Sequence, residues 1–429
     1  MYMTILFGLF LLLIILRVPI AVALAISTII VFLLTGDFDL STVPQTMFTA
    51  LDSTTLIAIP GFVFAGTIMA RGGIAKYLIS AMKAWVGHVS GGLSVVTVLA
   101  CAFFAAISGS SPATAAAIGS IMIPSMVEAG YNKRYAMGLV AASGSLGILI
   151  PPSIPLIVYG VVSSQSIGRL FMAGLIPGIF LTAILIFYAI IYARVKGYGR
   201  LEKASWKHRW MTLRKAVWGG ILPILILGSI YSGAATPTES SIIASAYAIV
   251  VSLFVYKETS LKLWHKIFRE TIGVTAMIML IIASAMLFSL YLTQEQIPQQ
   301  LATAMLSMPS LNVVLFFVLT AVLFLVLGTF LESSSIILIT LPLLMPIMLS
   351  LDVNPIHFAV VMIVNMEIAQ VTPPVGLNLF VISGITKEKL GTVFYGAVPF
   401  TIVMALCMII IMIWPGLALW LPDTLFGKS

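Results

Sequence analysis

The chain has 429 residues, 61% of them hydrophobic and only 8% charged, with 22 Lys and Arg against 14 Asp and Glu. Soluble domains carry roughly 25% charged residues, so a mean hydropathy of +1.15 excludes a water-soluble monomer. At about 20 apolar residues per crossing the length holds on the order of ten to twelve crossings or half-crossings, and the +8 balance reads as loop charge on one side of a bilayer.

Residues 2–16 read as a first crossing closed by the turn Arg17-Val18-Pro19. No basic region precedes this run, so it reads as a retained segment rather than a signal peptide. Residues 20–35 cross back to Asp37 and Asp39, and 54–70 return to Arg71. The segment 74–87 sets Lys76 and Lys83 on one helical face among Leu78, Ile79, Met82 and Trp85, the pattern of a helix lying in the interface. The apolar stretch 91–127 is split by Ser108-Gly109-Ser110-Ser111-Pro112 and ends at Lys133-Arg134. A single crossing would put Lys83 and Lys133 on opposite sides. The positive-inside tendency favours a re-entrant hairpin instead, and a non-helical tip at membrane depth implies a site.

Residues 135–164 cross with a break at Ile150-Pro151-Pro152-Ser153-Ile154-Pro155, and 170–193 return. The loop 194–215 carries eight basic residues against Glu202 and reads as a cytoplasmic connector. Residues 217–232 and 237–256 cross out and back, to Lys257, Lys262, Lys266 and Arg269, and 271–292 cross out again. No Lys or Arg follows until Lys387 and Lys389, and 393–414 make the last crossing. Of the basic residues only Arg169 and Lys428 fall outside, with the N-terminus periplasmic. The expected fold is all-α and polytopic, with about 11 transmembrane helices and two re-entrant hairpins.

A shift of 222 positions superimposes punctuating residues: Pro124 on Pro346, Asn132 on Asn354, Pro151-Pro152 on Pro373-Pro374, Gly174 on Gly396 and Pro177 on Pro399. The polar cluster at Ser108–Thr114 falls opposite Phe330–Ile336, with Ser110 against Glu332, and 74–87 falls near 297–308. The flanks of the first hairpin are basic, whereas those of the second carry Glu295 and Asp352 and no Lys or Arg. This sign reversal predicts two repeats inverted in the membrane, the pointer to a secondary transporter with its site at the midplane.

Half-helix carbonyl ends and hydroxyls suit a small hard cation, and helix N-termini suit a carboxylate. Taken alone, the serine cluster and each Pro-Pro pair also read as kinks satisfied by neighbouring groups. Glu332 and Glu367 are the acids deepest in apolar sequence, and Asn378 is a polar group in an apolar segment. No HExxH, Walker A, dinucleotide loop or GxSxG occurs, which argues against an enzyme and against nucleotide as energy source.

RVPIA (17–21), ISGSSPATAAAIGSIMIPSM (107–126), GILIPPSIPLIVYG (147–160) and VTPPVGLNLFVISG (371–384) resemble the large membrane subunit of tripartite ATP-independent periplasmic (TRAP) transporters. The likeness covers essentially the whole chain and leans to the sialic-acid branch, although C4-dicarboxylate members share the motifs. It implies sodium-coupled uptake of an organic acid across the bacterial inner membrane by an elevator mechanism. It also implies a small four-helix membrane subunit and a periplasmic binding protein that delivers substrate.

The resemblance puts one sodium on Ser108, Ser110, Gly147, Ile150 and Pro152, and a second on Gly328, Thr329, Thr372 and Pro374. By position, Ser110, Ser153, Glu332 and Asn378 would meet the substrate. Scaffold elements would span 1–90, transport elements 91–168 (hairpin 91–130, broken helix 135–164) and scaffold again 169–309. A second transport set would span 310–386 (hairpin 310–351, broken helix 355–384), with the final helix in 387–429. A partner-independent sodium–anion symporter and an ion channel are the competing readings.

Overall fold

A computed structural model describes residues 2–16, 18–36, 39, 41–199, 201–257, 260–307 and 312–427. The expectations for Arg17, Asp37, Arg200 and Lys428, for the start of the second hairpin at 310 and for the end of the second arm at 308 lie outside the described residues.

The described residues form twenty α-helices and no strand, as apolar sequence in lipid requires when every backbone polar group must be paired internally. The first half runs α1 (Tyr2–Ile15), α2 (Ile20–Thr35), α3 (Thr42–Leu51), α4 (Ala58–Arg71), α5 (Ile74–Val86), α6 (Gly92–Ser108), α7 (Ser111–Glu128), α8 (Lys133–Ser145), α9 (Ile154–Ser163) and α10 (Ile167–Val195). The second runs α11 (Trp206–Tyr231), α12 (Pro237–Val250), α13 (Leu261–Gln294), α14 (Ile297–Leu306), α15 (Val313–Gly328), α16 (Ser333–Ser350), α17 (Pro355–Ala369), α18 (Leu377–Thr386), α19 (Leu390–Ile413) and α20 (Gly416–Phe426). Seven helical stretches among the described residues are long and apolar enough to cross a bilayer by themselves. The ten-residue helices α9 and α18 reach roughly 15 Å, half the hydrocarbon thickness, so each serves as one arm of a broken helix.

Local chemistry explains the boundaries. Gly109, at φ 58°, turns α6 into α7, and Ser110 leads into α7 with Pro112 in its first turn. Asn132 and Asn354 cap α8 and α17 in the same way, each side chain accepting two backbone N–H groups. Both Pro-Pro pairs carry a cis peptide bond.

Four side-chain contacts settle which helix ends lie together. Lys133 at the start of α8 pairs with Glu388 just beyond α18 at 2.6 Å, and the Tyr159 hydroxyl of α9 donates to the Pro355 carbonyl at the start of α17 at 2.7 Å. The pair α8–α9 therefore runs antiparallel to α17–α18, and the repeats are inverted. Lys83 donates to Ser125 at the base of the first hairpin at 2.7 Å, and Arg71 pairs with Glu270. Each contact joins residues that the charge map places on one side.

The structure departs from the expected segments in four places. The second half of the connector 194–215 is helical, because α11 begins at Trp206 with the Ser205 hydroxyl as cap. α13 begins ten residues before the expected crossing at 271, since its first turns are amphipathic rather than apolar. The amphipathic α3 is too short and polar to register as a crossing. After Pro415, α20 turns back onto α10, where Arg169 pairs with Asp423 at 3.2 Å.

Candidate functional site

The first hairpin closes onto the first broken helix by backbone contact. A Cβ added at Gly147 would lie 2.8 Å from the carbonyl carbon and oxygen of Ser110, and one at Gly109 would lie 2.7 Å from the Pro152 carbonyl oxygen. Ser108 Oγ lies 2.9 Å from Thr114 Oγ1, which donates to the Ser110 carbonyl at 2.8 Å. Ser108, Gly147, Ile150 and Pro152 are buried, and Ser110 is partly exposed. Ser108, Ser110, Gly147 and Pro152 thus meet at the hairpin tip, where hydroxyl and carbonyl oxygens are the kind of donor that hard cations take; no hydrogen bond among the described residues joins Ile150 to them.

The second hairpin repeats the arrangement with different chemistry. Gly376, at φ 61°, donates its N–H to the Thr329 carbonyl at 3.0 Å. A Cβ there would lie 2.9 Å from the Thr372 carbonyl oxygen, while one at Gly328 would meet Ala369 at 2.5 Å. Gly328 and Thr329 are buried, but Thr372 is partly exposed and Pro374 is exposed, so this set is open where the first is closed. Thr329 and Thr372 hydroxyls donate to Val326 and Ile368 carbonyls of their own helices at 2.9 and 2.7 Å.

The tips also differ in electrostatics. Ser110 makes no side-chain cap, leaving the α7 N-terminus without a side-chain acceptor from that residue. Glu332, its counterpart, caps α16 by accepting the Ser334 N–H at 3.0 Å and the Ser334 hydroxyl at 3.1 Å. The acid of the second tip is therefore committed to its own helix dipole.

Two other expected substrate contacts are fully buried. Ser153 caps α9, accepting from Leu156 N–H and donating to the Ile148 carbonyl. Asn378 accepts from the Ser111 hydroxyl and donates to the Ala141 carbonyl, both at 3.0 Å. It clasps the first hairpin and α8 to α18. Sequence reasoning missed this clasp, because one of its partners is a main-chain carbonyl that no residue type announces. Gln370, at the end of α17, donates to Ser333 at 3.0 Å and ties the second break to its hairpin.

At the end of the molecule that carries Arg169, a cavity of about 690 Å³ lies between the α9–α10 turn, the short turn ahead of α4 and the start of α12. Ser53, Thr55, Ser164, Gln165, Ser166 and Thr238 give it a polar lining.

Paired hairpins facing paired broken helices, in a largely apolar all-α chain, define a multi-pass membrane transporter. The family model for the tripartite ATP-independent periplasmic transporter, DctM component, matches residues 7–417, and the chain belongs to that family.

It is 40% identical to the C4-dicarboxylate TRAP transporter large permease protein DctM of Rhodobacter capsulatus, over 98% of this chain and 99% of that one. It is 34% identical to the sialic acid TRAP transporter large permease protein SiaM of Vibrio cholerae, over 95% and 96%. These figures put the C4-dicarboxylate relative ahead of the sialic-acid one, the reverse of the order the motifs suggested. A solved structure, the YdaH transporter of Alcanivorax borkumensis, superposes with a TM-score of 0.61 over 87% of each chain at 15% identity and shares the fold.

Proposed function

We propose that the chain is the permease of a sodium-driven system that imports an organic acid, a C4-dicarboxylate before sialic acid, across the inner membrane. A periplasmic binding protein delivers the substrate, and a small membrane subunit completes the complex. The observation that carries this reading is the pair of inverted breaks, each closed by a hairpin tip in backbone contact with it. Carbonyl and hydroxyl oxygens of Ser108, Ser110, Gly147, Ile150 and Pro152 hold one sodium, and those of Gly328, Thr329, Thr372 and Pro374 a second. The substrate carboxylate meets the α7 tip at Ser110, whose N-terminus lacks the acid that occupies α16. Ser153, Glu332 and Asn378 then act by fixing helix ends rather than by touching substrate.

Both breaks and both hairpins move together past the remaining helices in an elevator cycle. The N-terminus lies in the periplasm and the stretch 194–215 in the cytoplasm, as the charge map expects. Each net charge moved down 100 mV supplies about 2.3 kcal/mol. Two sodium ions with a monoanion gain that amount, whereas a dianion needs a third cation to draw on the potential.

Substrate choice is tested in proteoliposomes that hold the permease complex, with its cognate binding protein outside and an inward sodium gradient. Labelled succinate should accumulate, and unlabelled sialic acid in tenfold excess should leave its uptake unchanged. Accumulation of sialic acid and exclusion of succinate would reverse the assignment.

A further inference from the structure

Glu367 plays no part in the sites above, and its surroundings carry a separate conclusion. It lies twelve residues beyond the start of α17, about 18 Å along the helix, which is membrane depth. The residue is 0% exposed, and neither carboxyl oxygen has a hydrogen-bond partner. One turn on, the side-chain oxygen of the buried Gln370 also lacks a donor, its amide nitrogen being spent on Ser333. Three buried acceptor atoms therefore occupy one turn of helix without a donor among the described residues.

No opposite charge relieves this. The helices packed against α17 are α8, α9, α10, α15, α16, α19 and α20, together with the turn at 146–148. α9, α15, α19 and that turn contain no Lys, Arg, His, Asp or Glu; α16 has none within it, and its cap Glu332 is an acid, bonded to Ser334. The charges on the others sit at helix ends: Lys133 and Arg134 open α8, Arg169 and Arg194 lie at the two ends of α10, and Asp423 of α20 is paired with Arg169. On α17 itself, His357 is at the far end, bonded to the Ile411 carbonyl. The other titratable groups on these helices are Tyr135, Tyr159, Tyr188, Tyr192, Tyr395 and Cys407. Tyr135 and Tyr159 are bonded elsewhere, to Ser94 and to the Pro355 carbonyl.

We propose that Glu367 is a proton-binding site, and that the carboxyl keeps its proton at neutral pH as the donor this turn of α17 lacks. A bare carboxylate without partners at this depth is strongly disfavoured, and one proton removes the charge and provides an O–H. The inverted repeat supports a neutral group here. The position matching Glu367 is Ser145, an uncharged side chain that brings its own donor and uses it on the Ala142 carbonyl. The assignment holds whatever anion is carried, because it concerns α17 and not the tips.

The test is infrared spectroscopy of the full chain in lipid nanodiscs at about pH 7, with Glu367→Gln subtracted from wild type. The difference should contain one protonated-carboxyl C=O stretch that shifts in D2O and stays when sodium replaces potassium. Carboxylate bands in its place, or loss of the band on adding sodium, would overturn the proposal; the latter would make Glu367 a sodium ligand. If Glu367→Gln does not fold, Glu367→Met serves in the subtraction.

Discussion

Asn378, in the second repeat, is a single polar side chain whose two ends hold two helices of the first. Its carbonyl oxygen takes the Ser111 hydroxyl, and its amide feeds the Ala141 carbonyl. Replacing it with Ala strips a partner from both, and each orphaned buried polar group costs about 1–3 kcal/mol. Asn378→Ala should therefore lower the thermal unfolding midpoint in nanodiscs, and Asn378→Asp, which adds a buried charge and loses the donated bond, should lower it further. An unchanged midpoint for both would mean that the clasp contributes nothing. In the sequence this residue reads as a lone amide in an apolar segment, with nothing to say whether it faces a ligand or a neighbour. Glu332 shows the same gap: its depth was legible, but not that Ser334 and the α16 N-terminus use its carboxylate.

The hairpins and broken helices were readable because apolar sequence makes their punctuation conspicuous. Pro-Pro pairs, Asn caps and serine-bearing polar clusters recur at one offset, and the structure turns or breaks the chain at each. Elements with weaker patterns escaped. α3 is short and amphipathic, α20 follows a Trp-Pro turn at the end of an apolar run, and α11 starts among charges that read as loop.

The two tip glycines offer a test at this scale. Gly109 and Gly376 both hold positive φ with a carbonyl oxygen inside 3.0 Å of any added Cβ, so Ala at either is strained by about 1–3 kcal/mol. If the tips shape the sodium sites, Gly109→Ala and Gly376→Ala should each raise the sodium concentration for half-maximal uptake roughly tenfold, as 1.4 kcal/mol implies. Maximal uptake at high sodium should largely recover. A loss of uptake that sodium cannot restore would assign these glycines to folding alone.

Over the whole molecule, charge was the most informative property. The absence of Lys and Arg between Arg269 and Lys387 exposed the inversion, and the Lys133–Glu388 and Tyr159–Pro355 contacts establish it physically. Substrate identity is not written at this scale, because the motifs shared across the family are those that build the hairpins and breaks. The same geometry that suits sodium and a carboxylate serves relatives named for C4-dicarboxylate and for sialic acid alike.

The central claim is that a sodium gradient drives uptake of an anion handed over by a binding protein. Its most direct test is uptake of the labelled organic acid into proteoliposomes containing the permease complex, with sodium or potassium outside and with or without the binding protein. Accumulation should occur only when sodium and the binding protein are both present. Equal accumulation in potassium without the binding protein would contradict the account.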